Sequence, residues 1–257
     1  MIEVERYRVA AGGAVGRTVA SVDAPDAWFL KGGTTAAALD AVLVGNRITG
    51  ARRIGKVLLL DVDGGPVVGV RFGMTGTLLV DGADAVGPLL YTSSRREPAW
   101  ERWSLRFTDG GRLVVHDPRR LGGVTLDPDV SGIGPDATAI TVAELAAALD
   151  GSTAPLKARL LDQSRVAGIG NLIGDELLWR AALSPLRPAG SLSKVEVTRL
   201  HRNLVRTLTV LTERGGCHLG DLIAERHIGG HCPRDGSPLA CATVGGRTSW
   251  WCPVHQL

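Results

Sequence analysis

The chain has 257 residues, enough for one large or two medium domains, and 44% hydrophobic against 21% charged residues allows a sizeable buried core. No apolar run of about 18 residues occurs, and the first residues lack a basic segment followed by an apolar one, so neither a membrane span nor a secretion signal is expected. The net charge of +3 and an isoelectric point near 8.8 are compatible with a polyanionic partner but do not argue for one.

Residues 1–125 read mostly as strands and form the first expected domain. A short helix is expected near Thr34 to Leu43. KVLLLDVDGGPVVGVRFG places two apolar runs around Asp63, Gly64 and Gly65, a hairpin signal, and WSLRFTDGGRLVVHD repeats it around Asp109, Gly110 and Gly111. Two such hairpins imply a β-sandwich or a small barrel. LDPDVSGIGPDATAIT is rich in Gly, Pro and Asp, so residues 126–140 read as a linker.

The periodicity then changes, and residues 141–216 read as helical. Thr141 with Glu144, and Ser193 with Glu196, are capping-box pairs, each opening a helix. The second helix is expected to run to about Arg214 and to end at Gly215 and Gly216. Between them, LLDQSRVAGIGNLIGDELLWR places Gly168, Ile169, Gly170 and Asn171 between two good helical halves. A glycine turn ahead of a helix lets an anion approach unpaired backbone amides closely, so this stretch suits a phosphate clamp that Asn171 would complete. A tight packing turn is the alternative on the motif alone. All four cysteines, Cys217, Cys232, Cys241 and Cys252, fall in the final part of the chain, where residues 217–257 form a hairpin around Gly245 and Gly246. Without a secretion signal, that clustering favours a metal site over disulfides.

These motifs together carry a resemblance. LLDQSRVAGIGNLIGDELLWRAALSP is similar to the helix–two-turn–helix segment of the formamidopyrimidine/endonuclease VIII (Fpg/Nei) family of DNA glycosylases. In the same order as in that family, ARRIGKVLLL resembles its lysine-bearing strand entry, FGMTG its intercalation loop, DPRRLG its second DNA-probing loop and GGRTSWWCP its zinc-finger hairpin. The resemblance implies an α+β fold, with an N-terminal β-sandwich, a C-terminal helix–two-turn–helix domain and a zinc hairpin, and with damaged double-stranded DNA in the cleft. It further implies a monomer in the cytoplasm, associated with the nucleoid in a bacterium. Met74 would be the wedge filling the space left by an extruded nucleotide. Arg119 and Leu121 would complete the probe, Leu121 standing where the formamidopyrimidine branch usually has phenylalanine. Lys56 would lie in the active site and Lys157 near the DNA backbone. Asn171 and Arg247 would hold the phosphates flanking the flipped nucleotide.

The family's finger has CxxC on each side of its hairpin. Here the register-preserving set is Cys232, Asp235, Cys252 and His255, all side chains that ligate Zn2+, with Cys241 as a rival fourth ligand. The N-terminus departs further. Family members begin MPELPEVE and use the proline amine as nucleophile and the following glutamate for proton transfer. This chain begins MIEVERYR, and register on EVE sets Met1 at the family's leucine, so the Pro-Glu pair is absent. A leucine codon read as the initiator, or a paralogue that has lost the nucleophile, would each produce this start. The expected activity is that of a DNA glycosylase with AP-lyase activity. The alternatives are a non-enzymatic lesion- or abasic-site-binding protein, and a plain nucleic-acid module using the helical motif alone. Because HLGDLIAERHIGGHC is short where the 8-oxoguanine enzymes carry a longer loop, weak or absent 8-oxoguanine excision is expected.

Overall fold

The computed structural model describes residues 1–87, 95 and 97–257, and the chain divides into two compact units, Glu3–Ser131 and Met1–Ile2 with Gly132–Leu257.

The first unit is a β-sandwich. Its five-stranded sheet contains β1 (Val19–Asp23), β5 (Thr77–Val80), β6 (Ala83–Asp84), β7 (Glu101–Phe107) and β8 (Arg112–His116), in the order β1-β7-β8-β5-β6. Its four-stranded sheet runs β2-β3-β4-β9, from β2 (Ile48–Ile54), β3 (Val57–Val62), β4 (Val68–Arg71) and β9 (Gly123–Leu126). Both expected hairpins form: β3 pairs antiparallel with β4, and β7 with β8. Gly64 and Gly110 supply the positive φ their turns need, at 60° and 91°. Strand alternation turns Leu58, Leu60 and Val70 inward from one sheet and Trp103, Leu105 and Val115 from the other, into a single core. Helix α2 (Ala36–Leu43) opens on Thr35, whose hydroxyl accepts from the Ala38 amide. One helix goes beyond the sequence expectation: α1 (Ile2–Ala11), whose Val4, Tyr7 and Ala11 reach the sandwich core.

The second unit is helical, with α3 (Val142–Leu149), α4 (Leu156–Leu161), α5 (Asn171–Ala181) and α6 (Lys194–Arg214), followed by a hairpin of β10 (Ala240–Val244) and β11 (Arg247–Trp251). Both capping boxes are present in full. Helix α6 buries Val197, Leu200, Leu204 and Leu211 on one stripe and ends on Gly215 at φ 106°. The linker expected over residues 126–140 is only partly one. Ala137 and Ile140 are 1% and 5% exposed and belong to the helical core; the polar, turn-rich composition around them hides these two apolar anchors. Among the described residues no helix is long and apolar enough to cross a membrane.

The α6 capping box is also an ion-pair site. Arg187 donates to both carboxylate oxygens of Glu196, at 2.5 and 2.9 Å, while the Ser193 amide and hydroxyl donate to the same group. Arg187 first, then Ser193, hold the Glu196 carboxyl down at about 2, against an ordinary 4.5. The folded-state value is depressed, so the stabilisation is present above pH 4.5 and is lost as the pH falls towards 2. Glu196→Gln is therefore expected to lower Tm by about 2–4 °C at pH 7, for a loss of about 1 kcal/mol. Calorimetry should find the gap to the unsubstituted protein narrowing as the pH drops from 4.5 towards 2. A gap independent of pH would contradict the assignment.

Candidate nucleic-acid interface and metal centre

The glycine turn between α4 and α5 answers a local packing demand. Gly168 adopts φ 103°, and a Cβ there would sit 2.2 Å from the Met1 sulfur, so no other residue fits without movement. Gln163 holds the turn, accepting from the Gly168 amide at 2.9 Å and donating to the carbonyls of Leu161 and Ile169. Gly170 precedes α5 in an extended conformation and offers no side-chain cap. The helix's first amides are thereby left for another acceptor. Asn171 stands at this end, its side-chain amide donating to the Thr248 carbonyl at 3.0 Å. That bond ties the start of α5 to β11 beside Arg247. Arg247 is exposed at the hairpin tip, with Gly245 and Gly246 at positive φ and its strand partner Val244 buried. Gly245 packs so closely on Ala158 of α4 that a Cβ would come within 2.7 Å of the alanine methyl.

Lys157 is placed differently from the expectation that it meets the DNA backbone. Its side chain is 0% exposed, and its ammonium lies 2.6 Å from an Asp175 carboxylate oxygen, itself 1% exposed. The same ammonium donates to the Ser249 hydroxyl at 2.7 Å and the Thr248 carbonyl at 3.2 Å. Arg226 pairs with the other Asp175 oxygen at 2.8 Å. Burial pulls the Lys157 ammonium below its usual range and pushes the Asp175 carboxyl above its own, while the short contact opposes both shifts. An interior lysine so engaged cannot reach a phosphate; it bolts α4 and α5 to the hairpin that carries Arg247. Asp175 and Arg226 complete this cluster, and the sequence reading misses both. The one available signal is an aspartate at i+4 from Asn171 inside an apolar helix.

The two loops expected to probe DNA lie in the sandwich unit. Met74 is 48% exposed and Leu121 49%, although both are large and apolar. Arg119 is exposed, and among the described residues its side chain makes no hydrogen bond or ion pair. Arg120 differs: it pairs with Asp26 through two contacts of 2.7 and 2.5 Å. Lys56 is half-buried on the β2–β3 turn, after Gly55 at φ 55°. Beside it Arg53 is anchored to Glu5 and to the Gly55 carbonyl.

The four expected metal ligands converge. One donor atom from each of Cys232, Asp235, Cys252 and His255 lies within 4.8 Å of the others. The separations include 3.6 Å for Cys232 Sγ to His255 Nδ1, 3.1 Å for His255 Nδ1 to Asp235 Oδ2 and 3.4 Å for Cys252 Sγ to Asp235 Oδ2. A tetrahedral site with bonds of about 2.0–2.3 Å has edges of roughly 3.3–3.8 Å, so the cage matches that size. Hydrogen bonds from the Ser237 hydroxyl and amide hold the Asp235 carboxyl well below the usual carboxylate range, and it is an anion at neutral pH. The two sulfurs are buried, and the Trp179 indole donates to Cys232 Sγ at 3.3 Å. Cys241 falls out as a rival. It is exposed on β10 opposite Trp250, two positions nearer the hairpin tip than Cys252, and its sulfur is not among the converging donors.

With this geometry in place, comparison with known proteins is direct. The family model described as the formamidopyrimidine-DNA glycosylase N-terminal domain matches residues 1–124, and that of the formamidopyrimidine-DNA glycosylase H2TH domain matches residues 132–221. The formamidopyrimidine-DNA glycosylase of Roseiflexus sp. (strain RS-1) is 35% identical over 237 residues, covering 84% of this chain and 83% of the relative. That of Thermus thermophilus is 34% identical over 242 residues, covering 84% and 85%. Among solved structures, Lactococcus lactis Fpg in complex with abasic-site DNA aligns with a TM-score of 0.83 at 25% identity, over 100% of this chain and 99% of that one. The same protein with Fapy-dG-containing DNA aligns at 0.82 and 26% identity, over 99% and 98%. The chain belongs to the formamidopyrimidine-DNA glycosylase family of DNA-repair proteins.

Proposed function

We propose that the protein binds duplex DNA at a damaged or abasic nucleotide and, given an N-terminal proline, removes the base and cuts the strand. The observation that supports this reading most is the pairing of Asn171 with the strand of Arg247 at the uncapped start of α5. Two groups suited to neighbouring phosphates are held together there, and neither reads a base. Met74, Arg119 and Leu121 supply what a plain phosphate clamp lacks, namely apolar side chains to enter a base stack and a cation to meet an unpaired base.

In the lyase step, an amine adds to C1′ of the abasic aldehyde and water leaves, forming a Schiff base. Loss of a C2′ proton to a base then expels the 3′ phosphate, and hydrolysis returns the amine. The family's proline and glutamate perform the addition and the proton transfers. Here Met1 is 7% exposed and Ile2 3%, both packed in the helical core, and neither provides a secondary amine or a carboxylate. The test is strand cleavage on a duplex with one abasic site, comparing the chain from Met1 with one in which Met-Pro-Glu-Leu replaces Met1. Cleavage is expected from the second and selective binding without cleavage from the first, the latter being the non-catalytic lesion-binding reading. If neither version cuts or prefers the abasic duplex over an undamaged one, the proposal is wrong.

The phosphate roles have their own signature. Asn171→Ala should weaken binding to undamaged duplexes of any sequence alike, by about tenfold or less. Arg247→Ala should reduce the slope of log affinity against log salt by about 1. Fluorescence anisotropy checks both, and a loss confined to one sequence would mean these residues read bases.

The metal is proposed to be Zn2+, held by Cys232, Asp235, Cys252 and His255 in a closed structural site that fixes the base of the Arg247 hairpin. Zinc analysis of the purified protein is expected to give one ion per chain, to lose most of it in Asp235→Ala and to recover it in Asp235→Cys. Cys241→Ala should leave the content unchanged; loss of zinc in that variant would reinstate Cys241 as a ligand.

A further inference from the structure

The two probe loops share a buried root. Thr75 follows Met74 directly, and Asp117 opens the loop that carries Arg119 and Leu121; both Thr75 and Asp117 are 0% exposed. The Thr75 hydroxyl donates to Asp117 Oδ1 at 2.6 Å. The Arg119 amide donates to the same oxygen at 3.2 Å, and the Gly122 amide to Oδ2 at 2.8 Å. One carboxylate thus takes three donors, one from the Met74 loop and two from its own. Gly73, at φ 60°, lies against Leu121 so closely that a Cβ would fall 2.7 Å from the leucine Cβ.

A second tie closes a ring around the DPRRLG loop. Arg102 Nε donates to the Asp117 carbonyl at 2.8 Å, and its NH1 lies 3.4 Å from Asp26. Asp26 in turn holds Arg120, a non-glycine residue at φ 56°. That conformation is unfavourable for a residue with a Cβ, and the bidentate pair is what keeps it. Turning Arg120 back towards the sandwich leaves Arg119 and Leu121 pointing into solvent.

We infer that Asp117 and Thr75 are positioning residues that lock the two loops into one rigid wedge, so that Met74, Arg119 and Leu121 enter a duplex as a unit. Arg120 anchors this wedge rather than touching nucleic acid. Two independently mobile loops would each lose conformational freedom on insertion; a prefixed pair has already lost it on folding, and discrimination between intact and damaged stacks sharpens accordingly. The inference rests on the proposed reading that these loops probe DNA.

The test uses the full chain and a duplex in which 2-aminopurine lies opposite a tetrahydrofuran abasic analogue, its fluorescence rising when the base is unstacked. Thr75→Val removes the donor at nearly constant volume. The expected result is a fluorescence rise reduced to the level of Met74→Ala and about a tenfold loss of preference for the tetrahydrofuran duplex over an undamaged one. Affinity for the undamaged duplex should stay within about twofold, since Asn171 and Arg247 are untouched. Thr75→Ser, which keeps the hydroxyl, should restore both signals. A folded Thr75→Val with the full rise and full preference would overturn the inference. Should Thr75→Val fail to fold, Arg120→Gln at the surface end of the ring gives the same reading, with loss of the rise expected and its retention overturning. If the unsubstituted protein gives neither rise nor preference, it is the DNA-probing reading itself that fails, and the wedge with it.

Discussion

The Asp175 carboxylate, buried between Lys157 and Arg226, is the interaction on which the helical unit's surface chemistry depends. It joins α4, α5, the segment after α6 and the hairpin at one point. Two cations flank one anion in the interior, and removing Asp175 leaves both without their counter-charge, at a cost of about 3–5 kcal/mol. Ser249 and the Thr248 carbonyl take remaining protons of the Lys157 ammonium, so β11 is held by the same group. The surface positions of Asn171 and Arg247 are set from beneath by this cluster.

The sandwich unit applies the same plan with different parts. Its exposed tips, Met74, Arg119 and Leu121, stand on buried roots at Thr75, Asp117 and Gly122. In both units an aspartate with no more than 1% exposure collects several donors from separate segments. The converging Cys232, Asp235, Cys252 and His255 extend the logic to the foot of the hairpin, where little apolar core is available: Trp179, Leu222, Cys232 and Cys252 form only a small cluster.

Much of this is legible in the sequence, and what is not has physical reasons. The DGG turns, the two capping boxes and the Gly215 stop are local signals, and each element forms where its signal lies. The candidate metal ligands are readable because strand pairing and CxxC-type spacing constrain them, and that same pairing sets Cys241 nearer the hairpin tip. Lys157 misleads because an isolated lysine is ordinarily solvated and its partner Asp175 lies 18 positions on, a pairing no periodicity reveals. Helix α1 is hard to see because Glu3, Glu5, Arg6 and Arg8 dilute a stripe of Val4, Tyr7 and Ala11 that does have helical spacing. Asp117 lies within a recognisable motif yet carries no signal of its own, since a carboxylate between a histidine and a proline reads as a turn residue until its three donors are seen.

The family scaffold is retained here, and the proposed reaction turns on an amine at its N-terminus. Borohydride trapping on abasic-site DNA measures that amine directly. With Met-Pro-Glu-Leu in place of Met1, a covalent adduct mapping to the N-terminal peptide is expected, and Asn171→Ala should diminish it through binding alone. An adduct mapping to Lys56, or none despite tight binding to the abasic duplex, would contradict the claim.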